Sequence, residues 1–210
     1  DKDKRIALDC LDRVGLLKKA RTRITHLNQR EQQLVNIARA LAQQPSHVAR
    51  YQSSSVHQEV PLSQAQDTLQ LPELVPGLGA PVAVSIGNPH CVFFVEDADV
   101  MDFAPIGREI EHHPLFPNRT NVQFVTPIGR THIRQRVWER GVGITGASGS
   151  GACAGAVASL RRGLVDGPVS VFLDGGLLVI DWDQSSNQIT MTGTTTFAFN
   201  GVLSEEMLDG

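Results

Sequence analysis

Hydrophobic residues recur at helical spacing in the first 46 residues of this chain and at alternating spacing from residue 81 onward. The clearest helical pattern lies in 32–44, and Pro45 ends it because proline cannot continue a helix. Its apolar face consists of Leu34, Ile37, Ala38 and Leu41. Residues 47–80 are polar and then rich in proline and glycine, which predicts a linker or irregular connection with one short strand at 54–60.

The pattern after residue 80 predicts short strands separated by turns. The expected strands lie at 81–86, 91–95, 121–125, 131–139, 169–173, 177–182, 188–192 and 195–199. Helices are expected at 102–112 and 150–162, the second ended by Gly163. Many strands around few helices predict an α+β domain over 81–204, with a mainly antiparallel, strongly curved sheet and a short tail at 205–210.

Composition and charge narrow the range of functions. The chain has 210 residues, 41% of them hydrophobic and 20% charged, as in an ordinary globular protein. A net charge of −3 gives no reason to expect nucleic-acid binding. No apolar run approaches the ~18 residues of a membrane span, and the first five residues lack the apolar core of a signal peptide. We therefore expect neither a nucleic acid nor a membrane as partner.

The cysteines indicate a reducing environment. Cys10, Cys91 and Cys153 are odd in number and widely spaced, without the spacing of metal ligands. This pattern predicts no disulfide, no metal site and a cytoplasmic location.

Residues 139–154 carry the strongest chemical signal. A charged pair, Glu139 and Arg140, ends a predicted strand, and a turn rich in glycine and alanine then opens into a predicted helix. Small residues let the backbone approach a ligand, and the first amides of a helix have no partner within it. The stretch therefore predicts a site for an anion such as a carboxylate.

Four short motifs point to a known family by their order and spacing. They are Gly87-Asn88-Pro89-His90, Arg119-Thr120-Asn121-Val122, Glu139-Arg140-Gly141 and Ala147-Ser148-Gly149-Ser150-Gly151-Ala152-Cys153-Ala154. Together they resemble the C-terminal half of a diaminopimelate epimerase over about 82–203. The resemblance implies a curved mixed sheet around a central helix, here 150–162, preceded by a short helical segment. It also implies a cofactor-independent isomerase that interconverts LL- and meso-diaminopimelate in lysine biosynthesis, with two cysteines flanking the α-carbon.

The resemblance also assigns roles to single residues. The substrate-binding positions are Asn88, Asn121, Glu139, Arg140, Gly149 and Ser150, and the catalytic positions are Ser148, Glu139 and His90. Gly149 and Ser150 are expected to bind the α-carboxylate, while His90 and Glu139 assist proton transfer at the reacting thiols. Simpler interpretations stay open: Asn88 shapes a turn, His90 is a hydrogen-bonded core histidine, and Glu139 with Arg140 is a solvated pair.

The chain departs from the family at both catalytic thiols. Ser148 occupies the position of one cysteine, and serine is a much poorer base than a thiolate. Cys153 lies five residues further along the predicted helix, on a different face, so we expect it to be a core residue, like Cys91. The Cys-Gly-Asn-Gly-like loop of the family's other half does not occur in the sequence.

Residues 7–48 contain two further stretches, Leu27-Asn28-Gln29-Arg30-Glu31-Gln32-Gln33 and Ile37-Ala38-Arg39-Ala40-Leu41-Ala42. Together they resemble the signature-helix region of an ABC-transporter ATPase. Leu27 is the one match to a Leu-Ser-Gly-Gly-Gln signature, and no Gly-x-x-x-x-Gly-Lys-Ser/Thr loop is present to hold phosphate. The sequence thus favours an impaired diaminopimelate epimerase. The alternatives are a non-catalytic amino-acid-binding or vestigial chimeric protein and, second, an ABC ATPase fragment. We also expect self-association through the face that in the family meets the other domain.

Overall fold

The computed structural model describes residues 60–194, the backbone of a strand at 47–52, and Lys18. The chain divides into two compact units, one spanning 48–193 and the other combining 1–47 with 194–210, and the account below concerns the first. Several expected elements lie outside the described residues. These are the helical segment at 1–46 apart from Lys18, most of the strand at 54–60, the strand at 195–199 and the tail at 205–210.

The described elements are short strands and two helices. The strands are β1 (His47–Gln52), β2 (Val82–Ser85), β3 (Pro89–Phe94), β4 (Asn121–Ile128), β5 (His132–Glu139), β6 (Gly143–Thr145), β7 (Val169–Leu173), β8 (Gly176–Asp183) and β9 (Gln188–Gly193). The helices are α1 (Ala104–Glu111) and α2 (Gly149–Arg161). Within the described part of the chain, no helix is long and apolar enough to cross a membrane.

The strands form one mixed sheet in the order β1-β9-β8-β7-β5-β4-β3-β2, with β6 paired to the edge of β5. The pairs β3·β4 and β5·β7 are parallel, while β2·β3, β4·β5, β5·β6, β7·β8 and β8·β9 are antiparallel. The parallel register places His90 beside Asn121 at the start of β3 and β4. Two residues that the sequence assigns to the site therefore meet at one end of the sheet.

Helix α2 lies inside the curve of the sheet. It contacts β2, β3, β4, β5, β7, β8 and β9, so the sheet wraps around it from one end to the other. Its small residues from Gly151 to Ser159 are all buried, and this permits close packing on every side of the helix. Residues on the opposite face of the sheet, such as Phe93 and Phe124, pack with Phe103 and Ile110 around α1.

The structure confirms the α+β class and the curved mixed sheet around a central helix. The observed helices begin and end within two residues of the expected bounds. Two strands were not expected: β6 follows immediately after the β5 turn, and β1 lies in the segment predicted to be irregular. Both are short or polar stretches, in which alternation is a weak signal.

Candidate functional site

Ser148 caps the N-terminus of the central helix. Its backbone is extended, with φ −143° and ψ 117°, and its hydroxyl oxygen accepts a hydrogen bond from the Gly151 amide at 3.3 Å. The Ser148 carbonyl accepts the Ala152 amide at 2.9 Å, which closes the first turn of α2. The amides of Gly149 and Ser150 stand at the helix start, ahead of the first possible intrahelical acceptor. They form an electropositive end that suits a carboxylate.

Asn88 links this helix end to the start of β3. Its side-chain amide donates to the Ser150 hydroxyl at 3.4 Å, and its carbonyl oxygen lies 2.9 Å from Nε2 of His90. Because that oxygen can only accept, Nε2 of His90 carries the proton and Nδ1 has the lone pair. Three residues assigned from the sequence, at positions 88, 90 and 150, therefore belong to one connected group.

His90 is fully buried and neutral. Burial, partly offset by the neighbouring Gln123 amide and reinforced by the positive charge of Arg140, lowers the pKa of His90 from 6.5 to about 3. Its Nδ1 atom makes no hydrogen bond. The ring contacts Asn88, and Asn88 contacts Ser150. His90 is therefore linked to the start of α2 through the Asn88 side chain.

Asn121 and Arg140 form a second group on the neighbouring strand ends. The Asn121 side chain donates to the Pro89 carbonyl at 3.1 Å and accepts the Arg140 amide at 2.9 Å. Arg140 Nη1 in turn donates to the Asn118 carbonyl at 2.9 Å. Asn121 thus holds the first residue after β5 against the first residue of β3. It fixes the place from which the Arg140 guanidinium projects.

Glu139 is oriented by a threonine that the sequence did not single out. The Thr145 hydroxyl donates to Oε1 of Glu139 at 2.6 Å, across the antiparallel β5·β6 pair. The same hydroxyl lies 3.5 Å from the Ala147 carbonyl, next to Ser148. Thr145 therefore joins the expected proton-transfer carboxylate to the segment that leads into α2. Thr145 lies within the glycine-rich stretch 139–154, and this position is the feature of the sequence from which its role could have been predicted.

Glu111 is the second functional candidate that sequence reasoning missed. This carboxylate is 4% exposed, and it accepts hydrogen bonds from Nε1 of Trp138 at 2.8 Å and from the Gly141 amide at 2.9 Å. Burial opposes ionisation, but these two donors, with His112 and Arg119, hold the pKa of Glu111 below its usual value. A glutamate in the last turn of an amphipathic helix is ordinarily solvent-exposed, so the sequence pattern gave no reason to select it.

The cysteines described by the structure belong to the core, as expected. Cys91 and Cys153 are free and completely buried. Burial raises the pKa of both thiols, to about 12 for Cys153. Neither is a candidate thiolate. Cys10 lies outside the described residues.

Comparison with known proteins agrees with the motif order. A family model of diaminopimelate epimerase matches residues 82–198. The chain is 47% identical over 152 residues to a diaminopimelate epimerase of Rhodospirillum centenum, covering 72% of this chain and 52% of that protein. It is 51% identical over 140 residues to a diaminopimelate epimerase of Rhizorhabdus wittichii, covering 67% of this chain and 51% of that protein. The chain thus spans about half the length of the curated relatives that it matches.

Two solved structures of the PhzF phenazine biosynthesis family align with part of this chain. The protein from Enterococcus faecalis aligns with a TM-score of 0.38 at 14% identity, over 66% of this chain and 41% of that one. The protein from Bacillus anthracis aligns with a TM-score of 0.38 at 19% identity, over 71% and 40%. The resemblance of residues 7–48 to an ABC-transporter ATPase gains no support.

Proposed function

Because the chain belongs to the diaminopimelate epimerase family, we propose that residues 82–198 form one half of a pyridoxal-independent epimerase site whose ligand is diaminopimelate. The observation that carries the proposal is the N-terminus of α2, where the Asn88 side chain donates to the Ser150 hydroxyl, together with Arg140, which Asn121 holds at the neighbouring strand ends. Oriented amides and a guanidinium are suited to the carboxylates of an amino acid. The proposed ligand thus contacts the groups that the family motifs predict.

In this proposal the ligand is bound by backbone amides at the start of α2 and by three polar side chains. The amides of Gly149 and Ser150 bind the α-carboxylate at the positive end of the helix. Asn88, Asn121 and Arg140 supply polar contacts around it. The side chains of Asn88, Ser150, Asn121 and Arg140 are held by the hydrogen bonds described above, which reduces the cost of ordering them when a ligand binds.

Proton transfer is proposed to be impaired. The α-proton of an amino acid is weakly acidic, so its removal needs a strong base and donors that stabilise the developing charge. Ser148 offers a hydroxyl, which at neutral pH is protonated and is a poor base without an activating partner. Glu139 is the partner that the family motifs assign, and its Oε1 accepts a hydrogen bond from Thr145. The residue on the opposite face of the α-carbon has no counterpart motif in these 210 residues.

A second candidate is a diaminopimelate-binding protein without catalysis. It is favoured by one observation, the role of Ser148 as a helix cap, since the position is then explained by helix stability alone. Both candidates predict binding, and they differ in whether a thiol at position 148 restores chemistry.

The experiment combines binding with α-proton exchange. The full chain is titrated with meso-diaminopimelate and, as a control without carboxylates, with 1,5-diaminopentane, while the amide signals of Gly149, Ser150 and Arg140 are followed by NMR. Loss of the α-proton signal in deuterated water is then measured for the parent and for Ser148→Cys. We expect shifts with diaminopimelate alone and exchange with the variant alone.

Each result has a distinct meaning. If diaminopimelate moves none of these amide signals, the proposed ligand is wrong. If it binds but neither protein exchanges the proton, the non-catalytic candidate replaces the impaired enzyme. Exchange in the parent would show that Ser148 or another base still reaches the α-carbon, and the impairment would be refuted.

Self-association is proposed from the family architecture, in which the site lies between two domains. Val142 and Ile144 are 73% and 50% exposed on the turn and strand that follow Arg140. Large exposed apolar residues beside a site favour contact with another surface. Light scattering tests this directly, and a monodisperse monomer over the working concentration range would contradict it.

A further inference from the structure

The carboxylate of Glu111 contacts both chain segments that carry the ligand-binding side chains of the second group. One is the turn after β5, which contains Arg140 and Gly141. The other is the turn before β4, where Arg119 Nη1 lies 3.5 Å from Oε1 of Glu111. Helix α1 ends at Glu111, so this single side chain reaches from the helix to the two strand ends.

The turn after β5 is held at two consecutive amides. The Arg140 amide donates to Asn121, and the Gly141 amide donates to Glu111, each at 2.9 Å. Gly141 has a φ of +77°, a conformation that glycine adopts readily and that the Glu111 bond helps to select. The direction in which Arg140 leaves the backbone is therefore set on one side by Asn121 and on the other by Glu111.

The turn before β4 is a strained segment. Arg119 has a φ of +58°, in the left-handed region that non-glycine residues seldom occupy. Its amide donates to the Phe116 carbonyl at 2.8 Å, and its guanidinium faces Glu111. Asn118, next to it, provides the carbonyl that accepts Nη1 of Arg140. The carboxylate thus helps to shape the segment on which the Arg140 guanidinium rests.

We propose that Glu111 is a positioning residue for ligand binding, which places Arg140 and Asn121 by bridging the two turns that carry them. The proposal rests on the proposed function insofar as those residues bind diaminopimelate. Glu111 itself stays out of contact with the ligand, since it is buried beneath the turn and each of its two oxygens accepts a hydrogen bond from a protein donor.

The test compares two substitutions on α1. Glu111→Gln keeps the size of the side chain but turns an amide N–H toward one of the two donors and removes the charge facing Arg119. Ile110→Val is the matched control, because Ile110 is the neighbouring residue, fully buried, and makes no contact of this kind with the turns. It weakens the packing of α1 without removing a hydrogen bond.

Two readouts are taken on the full chain. Hydrogen exchange of the Gly141 amide is measured by NMR without ligand, and the dissociation constant for meso-diaminopimelate is measured by titration. For Glu111→Gln we expect both the Gly141 exchange rate and the dissociation constant to rise about tenfold, because a neutral amide oxygen replaces the charged acceptor and cannot accept from both Gly141 and Trp138. For Ile110→Val we expect both to stay within about twofold, since the Gly141 bond is kept.

Equal changes in the two variants would overturn the proposal, because Glu111 would then act through the stability of α1 alone. Should Glu111→Gln fail to fold, Glu111→Asp provides the second variant. It keeps the charge on a shorter side chain and is expected to show an intermediate rise in Gly141 exchange, and an unchanged rate would refute the proposal. Failure of the proposed function would look different: the parent would not bind diaminopimelate, while the Gly141 exchange rates would still separate Glu111→Gln from Ile110→Val.

Discussion

The hydroxyl oxygen of Ser148 lies 3.3 Å from the amide nitrogen of Gly151 and accepts its hydrogen. The approach is close because residue 151 has no side chain: a Cβ there would stand 3.0 Å from both Cβ and Oγ of Ser148. In the proposed function this position corresponds to a reactive cysteine, and here it holds one of the preferred N-cap residues. The helix cap and the proposed impairment therefore concern the same side chain.

The first prediction concerns this cap. Ser148→Ala removes the side-chain acceptor of the Gly151 amide at the start of a buried helix, so we expect the free energy of unfolding to fall by about 1 kcal/mol. Urea unfolding measures the change. Ser63→Ala is the control, because Ser63 is exposed and its hydroxyl makes no contact of this kind. Equal stability of the two variants would show that the cap contributes nothing.

The second prediction concerns a thiol at the same position. In a Cys10→Ser background, Ser148→Cys places a cysteine at the N-terminus of α2, where the helix dipole favours the thiolate. We expect its pKa to lie below the ordinary value of about 8.5. Cys91 and Cys153 provide the internal contrast, since burial raises the pKa of both.

The measurement for this variant is the rate of reaction with Ellman's reagent between pH 5 and 9. One fast thiol is expected, with a midpoint of reactivity below that of a free cysteine. The parent in the same background should react slowly at its two buried thiols. A midpoint at or above the ordinary cysteine value would mean that the helix end does not activate a group at position 148.

The sequence predicted the fold from strong local signals. Two examples are the alternation in 131–139 and the stretch of small residues at 150–162 that Gly163 ends. The structure has a strand and a helix at these places. Strand β6 was not predicted, because three residues are too few to show an alternating pattern. The parallel pairing of β3 with β4 depends on contacts far apart in the sequence, which periodicity does not report.

Site residues that belong to a sequence motif could be predicted, whereas residues that become buried or paired only in the folded chain could not. Asn88, Asn121 and Arg140 were selected by motif order. The structure adds the bond of Asn88 to Ser150, the bond of Asn121 to the Pro89 carbonyl, and the bond of the Arg140 amide to Asn121. Glu111 is a charged residue on a helix, and its importance arises only when the chain folds over it. The orientation of Glu139 by Thr145 likewise depends on a pairing across β5 and β6 that the sequence did not reveal.

The third prediction concerns pH. Burial lowers the pKa of His90 from 6.5 to about 3 in the folded protein, while the unfolded chain keeps a value near 6.5. Between these values the unfolded state binds one more proton. The contribution of neutral His90 to stability is therefore complete above pH 6.5 and is lost as the pH falls from 6.5 toward 3. The expected slope is about half of 1.4 kcal/mol per pH unit at pH 6.5 and approaches about 1.4 at lower pH.

The test is the free energy of unfolding at pH 6.5, 5.75 and 5.0, a window above the range in which carboxylates such as Glu111 and Asp174 titrate. His90→Gln retains an N–H for Asn88 but cannot titrate, so over this window its stability should fall less steeply than that of the parent by about 1 kcal/mol per pH unit. His132→Gln, at an exposed ring, is the control and should keep the parent slope. Identical slopes for His90→Gln and the parent would show that another group governs stability in this range.

The last prediction concerns the contact between Gly107 and Trp138. Replacing a glycine in the middle of a helix by alanine ordinarily stabilises it by roughly 1 kcal/mol. Here a Cβ at residue 107 would lie 2.6 Å from Cγ and 2.7 Å from Cβ of Trp138, which are the least mobile atoms of that side chain. The indole must move, and its Nε1 is the donor to Glu111. We therefore expect Gly107→Ala to lower the free energy of unfolding by about 1–3 kcal/mol.

Urea unfolding of Gly107→Ala is compared with that of Glu109→Ala, an exposed position on the same helix that gains the same residue without a clash. The Trp138 indole N–H signal reports whether its bond to Glu111 survives. Loss of stability together with a shifted indole signal would agree with a close contact between α1 and β5 that helps to hold the turn carrying Arg140. A Gly107→Ala protein as stable as the parent would mean that α1 can move away from β5 at little cost, and the tight packing would not be needed to hold that turn.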